Sequence, residues 1–180
     1  HVQAMLILCD QNNLPELKKY LINLNDDLTT VDTSIKTGNV MIDAILNSKM
    51  SLIKARSIPV SAKAAAPNET DLSDIDLCVI LGNLLDNAME ACAGQGEEEE
   101  RFIRIYMGVM KKQLYISVQN TFSGRKKRTE RLVSTKRESG HGYGLSRIDA
   151  VVKRNGGYIN RQNEDGIFAT EVMLPLFRVS

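Results

Sequence analysis

The sequence of 180 residues contains no tryptophan, only 5% aromatic residues, four prolines, three cysteines and two histidines. The cysteines (Cys9, Cys78 and Cys92) form no Cys-x-x-Cys pair, and their odd number argues against a disulfide framework. Two histidines are too few to complete a zinc site with them. No apolar run approaches the roughly 18 to 20 residues that span a bilayer. These scarcities argue against a disulfide-stapled or zinc-dependent fold and favour a reducing compartment.

Charge is balanced over the whole chain but not along it. Lys plus Arg (23) nearly cancels Asp plus Glu (22), for a net charge of +1, which gives no reason to expect nucleic-acid binding. Residues 1–100 carry 7 basic and 16 acidic side chains, whereas residues 101–180 carry 16 basic and 6 acidic ones. We therefore expect the second segment to contact an anionic ligand.

The first third of the sequence has the apolar periodicity of a helix. After an interruption at Asn12, Asn13 and Pro15, where a helix can restart because proline fits a first turn, leucines recur at alternating steps of three and four. This period of 3.5 residues is that of a helix packed against another helix. The stripe consists of Leu14, Leu17, Leu21, Leu24, Leu28, Val31 and Ile35.

A turn at Thr37, Gly38 and Asn39 separates this stripe from a second one. The two stripes predict a helical hairpin that pairs with a second copy into a four-helix bundle, because each helix has an apolar face to bury. The alternative is that the hairpin packs on the rest of the chain. The second stripe consists of Met41, Ile45, Ser48, Leu52 and Ala55.

Two prolines, Pro59 and Pro67, bracket a small-residue segment that fits a linker running into an edge strand. We place the domain boundary here, with a dimerisation region at 1–57 and a second domain at 58–180. The order after the boundary is helix, two strands, long loop, helix and two strands, which predicts an α+β sandwich with helices on one face of a mixed sheet. The predicted spans are helices 71–92 and 145–155 and strands 101–110, 113–119, 158–162 and 167–174.

Asn83 and Asn87 lie one helical turn apart on the first of these helices, beside an apolar stripe. Amides near an apolar face need polar partners, either backbone groups or a ligand. An amide oxygen suits a hard cation such as Mg²⁺, which proteins bind together with substrate phosphates. A purely structural pair is the alternative interpretation.

The segment Gly140-His141-Gly142-Tyr143-Gly144-Leu145-Ser146 opens the second helix. Glycines let the backbone approach a ligand, and a helix N-terminus presents N–H groups to phosphate. Residues 121–141, directly upstream, carry seven basic and two acidic side chains. A cationic flap over a glycine-rich helix start suits a nucleoside triphosphate, while a solvated loop and a nucleic-acid patch are the alternatives.

These motifs together resemble a known family. The order NLLDNA (83–88), VQNTF (118–122), STK (134–136) and GHGYGLSRI (140–148) is similar to the N, G1, lid and G2 boxes of the Bergerat-type ATP-binding domain shared by gyrase, MutL, a heat-shock chaperone and histidine kinases. The segment TGNVMIDAILNSK (37–49) resembles the dimerisation region of quorum-sensing and citrate-type sensor histidine kinases. The resemblance extends over essentially the whole chain.

The resemblance implies that ATP and Mg²⁺ are bound, with Asn87 coordinating the metal and Asn83 close by. Asn120 stands where most relatives have an Asp that accepts the adenine amino group. An amide oxygen can accept the same hydrogen bond, but without charge and in one orientation only. Lys136 would reach the terminal phosphate.

The glycine-rich box would complete the site. By the same resemblance, Gly140, Gly142 and Gly144 would shape the hinge of the lid, and Leu145 and Ser146 would offer backbone N–H groups to phosphate. His141, inside the glycine turn, would be a polar lid residue.

The resemblance also indicates the reaction. Members that hydrolyse ATP have a Glu four residues before the metal-binding Asn, and here that position is Asn83, which cannot act as a base. We therefore expect slow hydrolysis and transfer of the γ-phosphoryl group to a histidine, catalysed by positioning and charge neutralisation. An ATP-driven clamp of the MutL or gyrase type is disfavoured by Asn83 and by the hairpin.

The acceptor histidine in this branch belongs to a pattern like HDxxNHxQ, and His1-Val2-Gln3 matches its second histidine better than its first. The acceptor is therefore expected five residues upstream of His1, with phosphorylation of His1 itself as the other interpretation. The implied partners are a second copy of the chain and the receiver domain of a response regulator.

The implied location is the cytoplasm, attached to a membrane sensor through segments outside this chain. The alternative function is a phosphotransferase or pseudokinase scaffold with a degenerate nucleotide site, motivated by Asn120.

Overall fold

The computed structural model describes residues 6, 7, 9, 13–19, 35–67, 69–96, 98–123 and 143–177. The chain divides into two compact units, His1–Thr33 and Ser34–Ser180. In the described part of the first unit, residues 14–19 are helical, and the side chain of Asn13 accepts a hydrogen bond from the backbone of Glu16 (3.4 Å). This cap confirms the predicted restart of the helix beside Pro15. Most of the leucine stripe lies outside the described residues, so the hairpin and its four-helix bundle stay predictions.

The second unit contains three described helices and five strands, none of these helices being long and apolar enough to cross a membrane. Each element agrees with the predicted spans to within a few residues, because apolar periodicity and turn residues mark its ends. In chain order the elements are α1 (Val40–Ala55), β1 (Val60–Ala64), α2 (Asp74–Ala93), β2 (Ile103–Met110), β3 (Gln113–Thr121), α3 (Tyr143–Arg154), β4 (Tyr158–Glu164) and β5 (Ile167–Pro175).

The five strands form one mixed sheet in the order β1-β2-β3-β5-β4. β1 pairs parallel with β2, whereas every other pair is antiparallel. β1 lies at an edge, as the small-residue segment between the two prolines predicts. The expected α+β architecture with a mixed sheet is therefore confirmed.

Alternation along the strands directs one face of the sheet towards the helices. On β2, Ile103, Ile105 and Met107 are buried, while Arg104 and Tyr106 between them are exposed. A period of two places these two sets on opposite faces. The core therefore lies between one face of the sheet and the helices, as the two-layer prediction requires.

The helix α1 belongs to this core. Its buried side chains, Ile42, Ile45, Leu46 and Ile53, join the same apolar cluster as α2 and the sheet. The second compact unit thus begins at Ser34, upstream of the domain boundary that the sequence predicts at residue 58. The helix predicted from the second apolar stripe, α1, therefore packs on the rest of the chain. This is the arrangement that the sequence analysis gives as the alternative to a four-helix bundle. The assignment of residues 1–57 to dimerisation and phosphotransfer stays a prediction.

Polar contacts fix the start of α1. The side chain of Asn39 caps the helix by accepting from the backbone N–H groups of Met41 and Ile42. Asp43 in the first turn accepts from the backbone N–H (2.7 Å) and the hydroxyl (2.5 Å) of Thr37. These bonds hold the segment before α1 against the helix that follows it.

The position of α1 in the core predicts a large loss of stability for Leu46→Ala in the complete chain. Leu46 is fully buried, so its truncation leaves a cavity and should cost about 2–5 kcal/mol of unfolding free energy, measured by urea denaturation. Val40 lies on the same helix but is 87% exposed, and Val40→Ala should stay within about 0.5 kcal/mol. Equal effects of the two changes would contradict the packing of α1 on the second unit.

Candidate functional site: an amide pair beneath the start of a helix

The helix α2 carries both asparagines of the first motif. The helix begins at Asp74 after the cap residue Ser73, whose side chain accepts from the backbone N–H of Asp76 (3.1 Å). Its core-facing residues include Leu77, Ile80, Leu81, Leu84, Leu85 and Ala88. Asn83 and Asn87 lie at i and i+4 beside this apolar face, in the order that the sequence predicts.

A hydrogen bond to the helix backbone orients Asn83. Its Nδ2 donates to the carbonyl oxygen of Val79 at 2.6 Å. The side chain therefore directs its oxygen, and not its N–H groups, away from its own helix turn. An amide held in this way can accept a hydrogen bond or bind a metal through its oxygen. It cannot act as a general base at neutral pH.

The start of α3 lies directly over the two amides. A methyl group added at Gly144 would lie 3.1 Å from Oδ1 of Asn83 and 3.6 Å from Oδ1 of Asn87. The structure therefore brings Asn83, Asn87 and Gly144 together, although 57 residues separate Asn87 from Gly144 in the sequence. Only a residue without a Cβ leaves the space above the two oxygens open.

The amide nitrogen of Asn87 is buried and has no hydrogen-bond partner among the described residues. A buried polar group without a partner costs roughly 1–3 kcal/mol, and this one belongs to the side chain whose Oδ1 lies beneath Gly144. Two converging amide oxygens match the hard-oxygen preference of Mg²⁺. The described residues contain no group of three His, Cys, Asp or Glu side chains that could hold a metal. Mg²⁺ takes few protein ligands and is usually bound together with substrate phosphates. The residues present therefore fit a magnesium ion that arrives with a polyphosphate.

The helix α3 supplies the opposite wall. Leu145 in its first turn is half-buried against the core, which fixes the helix start, while Ser146 beside it is exposed. The first turn of a helix presents backbone N–H groups and the positive end of the helix dipole. The place where Gly144 meets the two amides is therefore suited to an anion.

Asn120 lies on β3, on the strand face that packs on the helices, and is 3% exposed. Its Nδ2 donates to the backbone oxygen of Thr121 at 2.9 Å. This bond leaves Oδ1 as the group that can accept from a ligand, the orientation that recognition of an adenine amino group requires.

Next to Asn120 a buried polar network joins the end of α2 to the strands. The hydroxyl of Thr121 donates to Oε1 of Gln95 (2.7 Å) and accepts from the backbone N–H of Phe102 (3.1 Å). Arg101 donates to the backbone oxygen of Gln95 (2.8 Å), and Cys92 packs its thiol against Thr121. This network is not evident from the sequence. A glutamine just after a helix end gives no signal, because nothing in the local sequence marks its contact with Thr121, which lies 26 residues later on β3.

The helix α1 also borders the site. Nζ of Lys49 lies 2.6 Å from Oδ1 of Asp86, the residue before Asn87, and this ion pair lines a cavity of about 710 Å³ between α1 and α2. Asn83 lines the same cavity. Asn83 therefore lies between the start of α3 and this cavity.

Four of the predicted positions lie outside the described residues: Lys136, Gly140, Gly142 and His141. His1 lies outside them as well. Their roles stay predictions that rest on the family resemblance.

The network beside Asn120 predicts a loss of stability for Thr121→Val, which keeps the side-chain shape and removes the hydroxyl. The acceptor of Gln95 and the N–H of Phe102 would then lack that partner, at a cost of about 1–3 kcal/mol in urea denaturation. Thr121→Ser keeps the hydroxyl and should lose clearly less. If both changes cost the same, packing and not the hydrogen bonds of Thr121 would hold this part of the fold.

Comparison with known proteins agrees with the geometry. Residues 72–175, more than half of the chain, match the GHKL domain family. A probable C4-dicarboxylate sensor kinase of Halalkalibacterium halodurans is 35% identical over 186 aligned positions, which cover 97% of this chain. The chain spans about a third (34%) of the length of that relative.

Solved structures share the fold. The catalytic domain of the histidine kinase ThkA superposes with a TM-score of 0.60 at 19% identity, over 77% of this chain and 93% of that domain. The Acinetobacter baumannii histidine kinase AdeS gives 0.59 at 12% identity, over 92% and 81% of the two chains. The mycobacterial sensor histidine kinase MprB gives 0.55 at 18% identity, over 77% and 94%. From the family match and the five-stranded mixed sheet with its amide-bearing helix, we conclude that the chain belongs to the GHKL domain family.

Proposed function

We propose that this chain is the kinase core of a two-component sensor histidine kinase. It binds Mg²⁺ and ATP, transfers the γ-phosphoryl group to a histidine, and passes it from there to an aspartate of a response-regulator receiver domain. The observation that carries the proposal is the position of Gly144 over the oxygens of Asn83 and Asn87, with the buried amide nitrogen of Asn87 unpartnered. The 35% identity to a probable sensor kinase supports the same function.

Each described residue has a distinct role in this proposal. Asn87 holds the metal through Oδ1, and Mg²⁺ when bound neutralises the charge of the phosphate oxygens. Asn83, fixed by its bond to Val79, orients the same group and offers no base that would activate water. The start of α3 faces the phosphates with its backbone N–H groups and its dipole. Asn120 accepts from the adenine amino group.

The site therefore favours transfer over hydrolysis. Catalysis by positioning needs the phosphate chain held in line with an acceptor and needs no ionisable group at Asn83. By resemblance, Lys136 would add a positive charge at the terminal phosphate, and Gly140 and Gly142 would form the lid hinge. The same proposal includes the acceptor histidine and the dimer through residues 1–57. It also includes the attachment of a cytoplasmic core to a membrane sensor of the quorum-sensing or citrate-type branch.

A second candidate function is a scaffold that keeps the fold but has lost ATP, and it is motivated by Asn120 in place of an Asp. The bond from Asn120 to Thr121 speaks against it, because the amide is already turned to accept from a ligand. Calorimetric titration of the chain with a non-hydrolysable ATP analogue and Mg²⁺ separates the two. A kinase core should release or absorb heat at sub-millimolar analogue, and a chain with no heat and no thermal shift would be the scaffold.

Asn87→Ala should abolish the Mg²⁺-dependent part of the binding while the fold is retained. The change removes the amide oxygen proposed as the metal ligand and also the unpartnered buried nitrogen, so stability should not fall by more than about 1 kcal/mol. The measurement is the same titration with and without a chelator. Asn163→Ala, at an exposed position on β4, is the matched control and should leave binding unchanged. Wild-type affinity in the Asn87 variant would refute the metal assignment.

Gly144→Ala should weaken binding of the ATP analogue while changing the stability of the fold only slightly. The new methyl would fill the space 3.1 Å from Oδ1 of Asn83, and we expect affinity for the analogue to fall by about tenfold or more. Stability should change by less than about 1 kcal/mol, because the helix preference of alanine over glycine is offset by the close contact of the new methyl with Asn83.

The matched control is Gly82→Ala, because nothing lies within 4 Å of a Cβ at Gly82, one residue before Asn83. This variant should gain up to about 1 kcal/mol of stability, because its Cβ meets no other atom, and it should keep its affinity; thermal unfolding is the second measurement. An unchanged affinity in the Gly144 variant would place the nucleotide elsewhere.

A further inference from the structure

Asp76 forms a polar contact between α2 and α3 that the proposed reaction does not use directly. The residue is 7% exposed and lies in the first turn of α2. One carboxylate oxygen pairs with the guanidinium of Arg154 in the last turn of α3, and the other accepts from Nδ2 of Asn155 at 2.8 Å. Both oxygens of a buried carboxylate are thus directed at the end of one neighbouring helix.

The carboxylate is ionised in the folded protein. Desolvation by burial would raise the pKa of Asp76, but the hydrogen bonds from Asn155, Arg154 and Ser73 and the charge of Arg154 outweigh it and lower the pKa below its ordinary value. The contact is therefore charge-assisted and directional, unlike the apolar packing of Ile148 and Val152 on the same helix.

The geometry of the two helices relates this contact to the amide pair. Gly144 at the start of α3 lies over Asn83 and Asn87, while Arg154 at its end meets Asp76, so α3 runs antiparallel to α2. At a rise of about 1.5 Å per residue, Gly144 to Arg154 spans roughly 15 Å, and Asp76 to Asn87 spans roughly 16 Å. The two contacts therefore bracket the same length of both helices.

We propose that Asp76 is a positioning residue for the phosphate-facing start of α3: by holding Arg154 and Asn155 it sets the position of α3 along α2, and so the distance of Gly144 from the amide pair. This inference rests on the proposed function, since it assigns the purpose of the contact to nucleotide binding. Asp76 touches neither metal nor nucleotide in this role.

Apolar contacts such as that of Leu145 define that position less sharply than a directional polar contact does, because the hydrophobic effect itself has no direction. A shift of α3 by a few tenths of an ångström would matter at Gly144, where a Cβ would already stand only 3.1 Å from Oδ1 of Asn83. A second ion pair, from Arg161 of β4 to Asp149 of α3 (2.6 Å), joins α3 to the sheet and not to α2. The two ion pairs can therefore be tested against each other.

The test compares Asp76→Asn and Arg154→Gln with Asp149→Asn in the complete chain. Asp76→Asn keeps the side-chain shape and loses the charge. The side chain of Arg154 is largely exposed, so Arg154→Gln should fold even if Asp76→Asn does not. We expect the first two variants to raise the dissociation constant for the Mg²⁺-bound, non-hydrolysable ATP analogue by about tenfold, the order expected for one charge-assisted hydrogen bond. Asp149→Asn should change it less than about twofold, and Asp76→Glu, which restores the charge, should recover part of the affinity.

A second measurement does not depend on nucleotide binding. Amide hydrogen exchange at Arg147 and Ile148, whose N–H groups bond inside α3 to the carbonyls of Tyr143 and Gly144, should be faster in Asp76→Asn and Arg154→Gln than in Asp149→Asn once normalised to the global stability of each variant. If the wild-type chain binds no analogue, the proposed function fails, while the exchange comparison still decides whether Asp76 positions the start of α3. Equal exchange and equal affinity in all three variants would overturn the inference and leave Asp76 a stabilising residue only.

Discussion

The structure of the site depends on the close approach of two antiparallel helices, α2 and α3. At one end of their contact the backbone of Gly144 lies over the amide oxygens of Asn83 and Asn87, and at the other end Asp76 holds Arg154 and Asn155. The sheet beneath supplies a rigid base, since Leu77, Ile80 and Leu84 of α2 pack in the same core as β2 and β3. Among the described residues, the proposed recognition of phosphate therefore depends on the distance between these two helices.

Much of the fold could be predicted from the sequence, because periodicity and turn residues are local signals. The strand alternation in 103–110 and 113–121 marks a half-buried hairpin, and Gly156 and Gly157 mark the end of α3. The direction of β1 could not be predicted, because a five-residue strand of small side chains pairs equally well either way. Its parallel pairing with β2 follows from the passage of α2 between them along the chain, across the helical face of the sheet.

The position of α1 illustrates why packing is harder to predict than helix formation. The apolar stripe in the sequence runs through Met41, Ile45 and Leu52, whereas the most buried side chains are Ile42, Leu46 and Ile53, with Ile45 buried as well. Which of these side chains are buried depends on the partner surface, which the local sequence does not contain. The same reason applies to Asp76 and Arg154, which are 78 residues apart, and to the bond between Thr121 and Gln95. In contrast, the resemblance of the motif order to the N and G2 boxes predicts that Asn83, Asn87 and Gly144 belong to one site.

The described part of the site has an unusual chemical uniformity. The three side chains proposed to contact the metal, the phosphates and the base are all carboxamides, those of Asn83, Asn87 and Asn120, and a carboxamide neither gains nor loses a proton in the range where proteins are folded. Their contribution to recognition should therefore be insensitive to acidity. Any response of the chain to a change in proton concentration would have to originate in the nucleotide itself, in the proposed acceptor imidazole, or in groups other than these three amides.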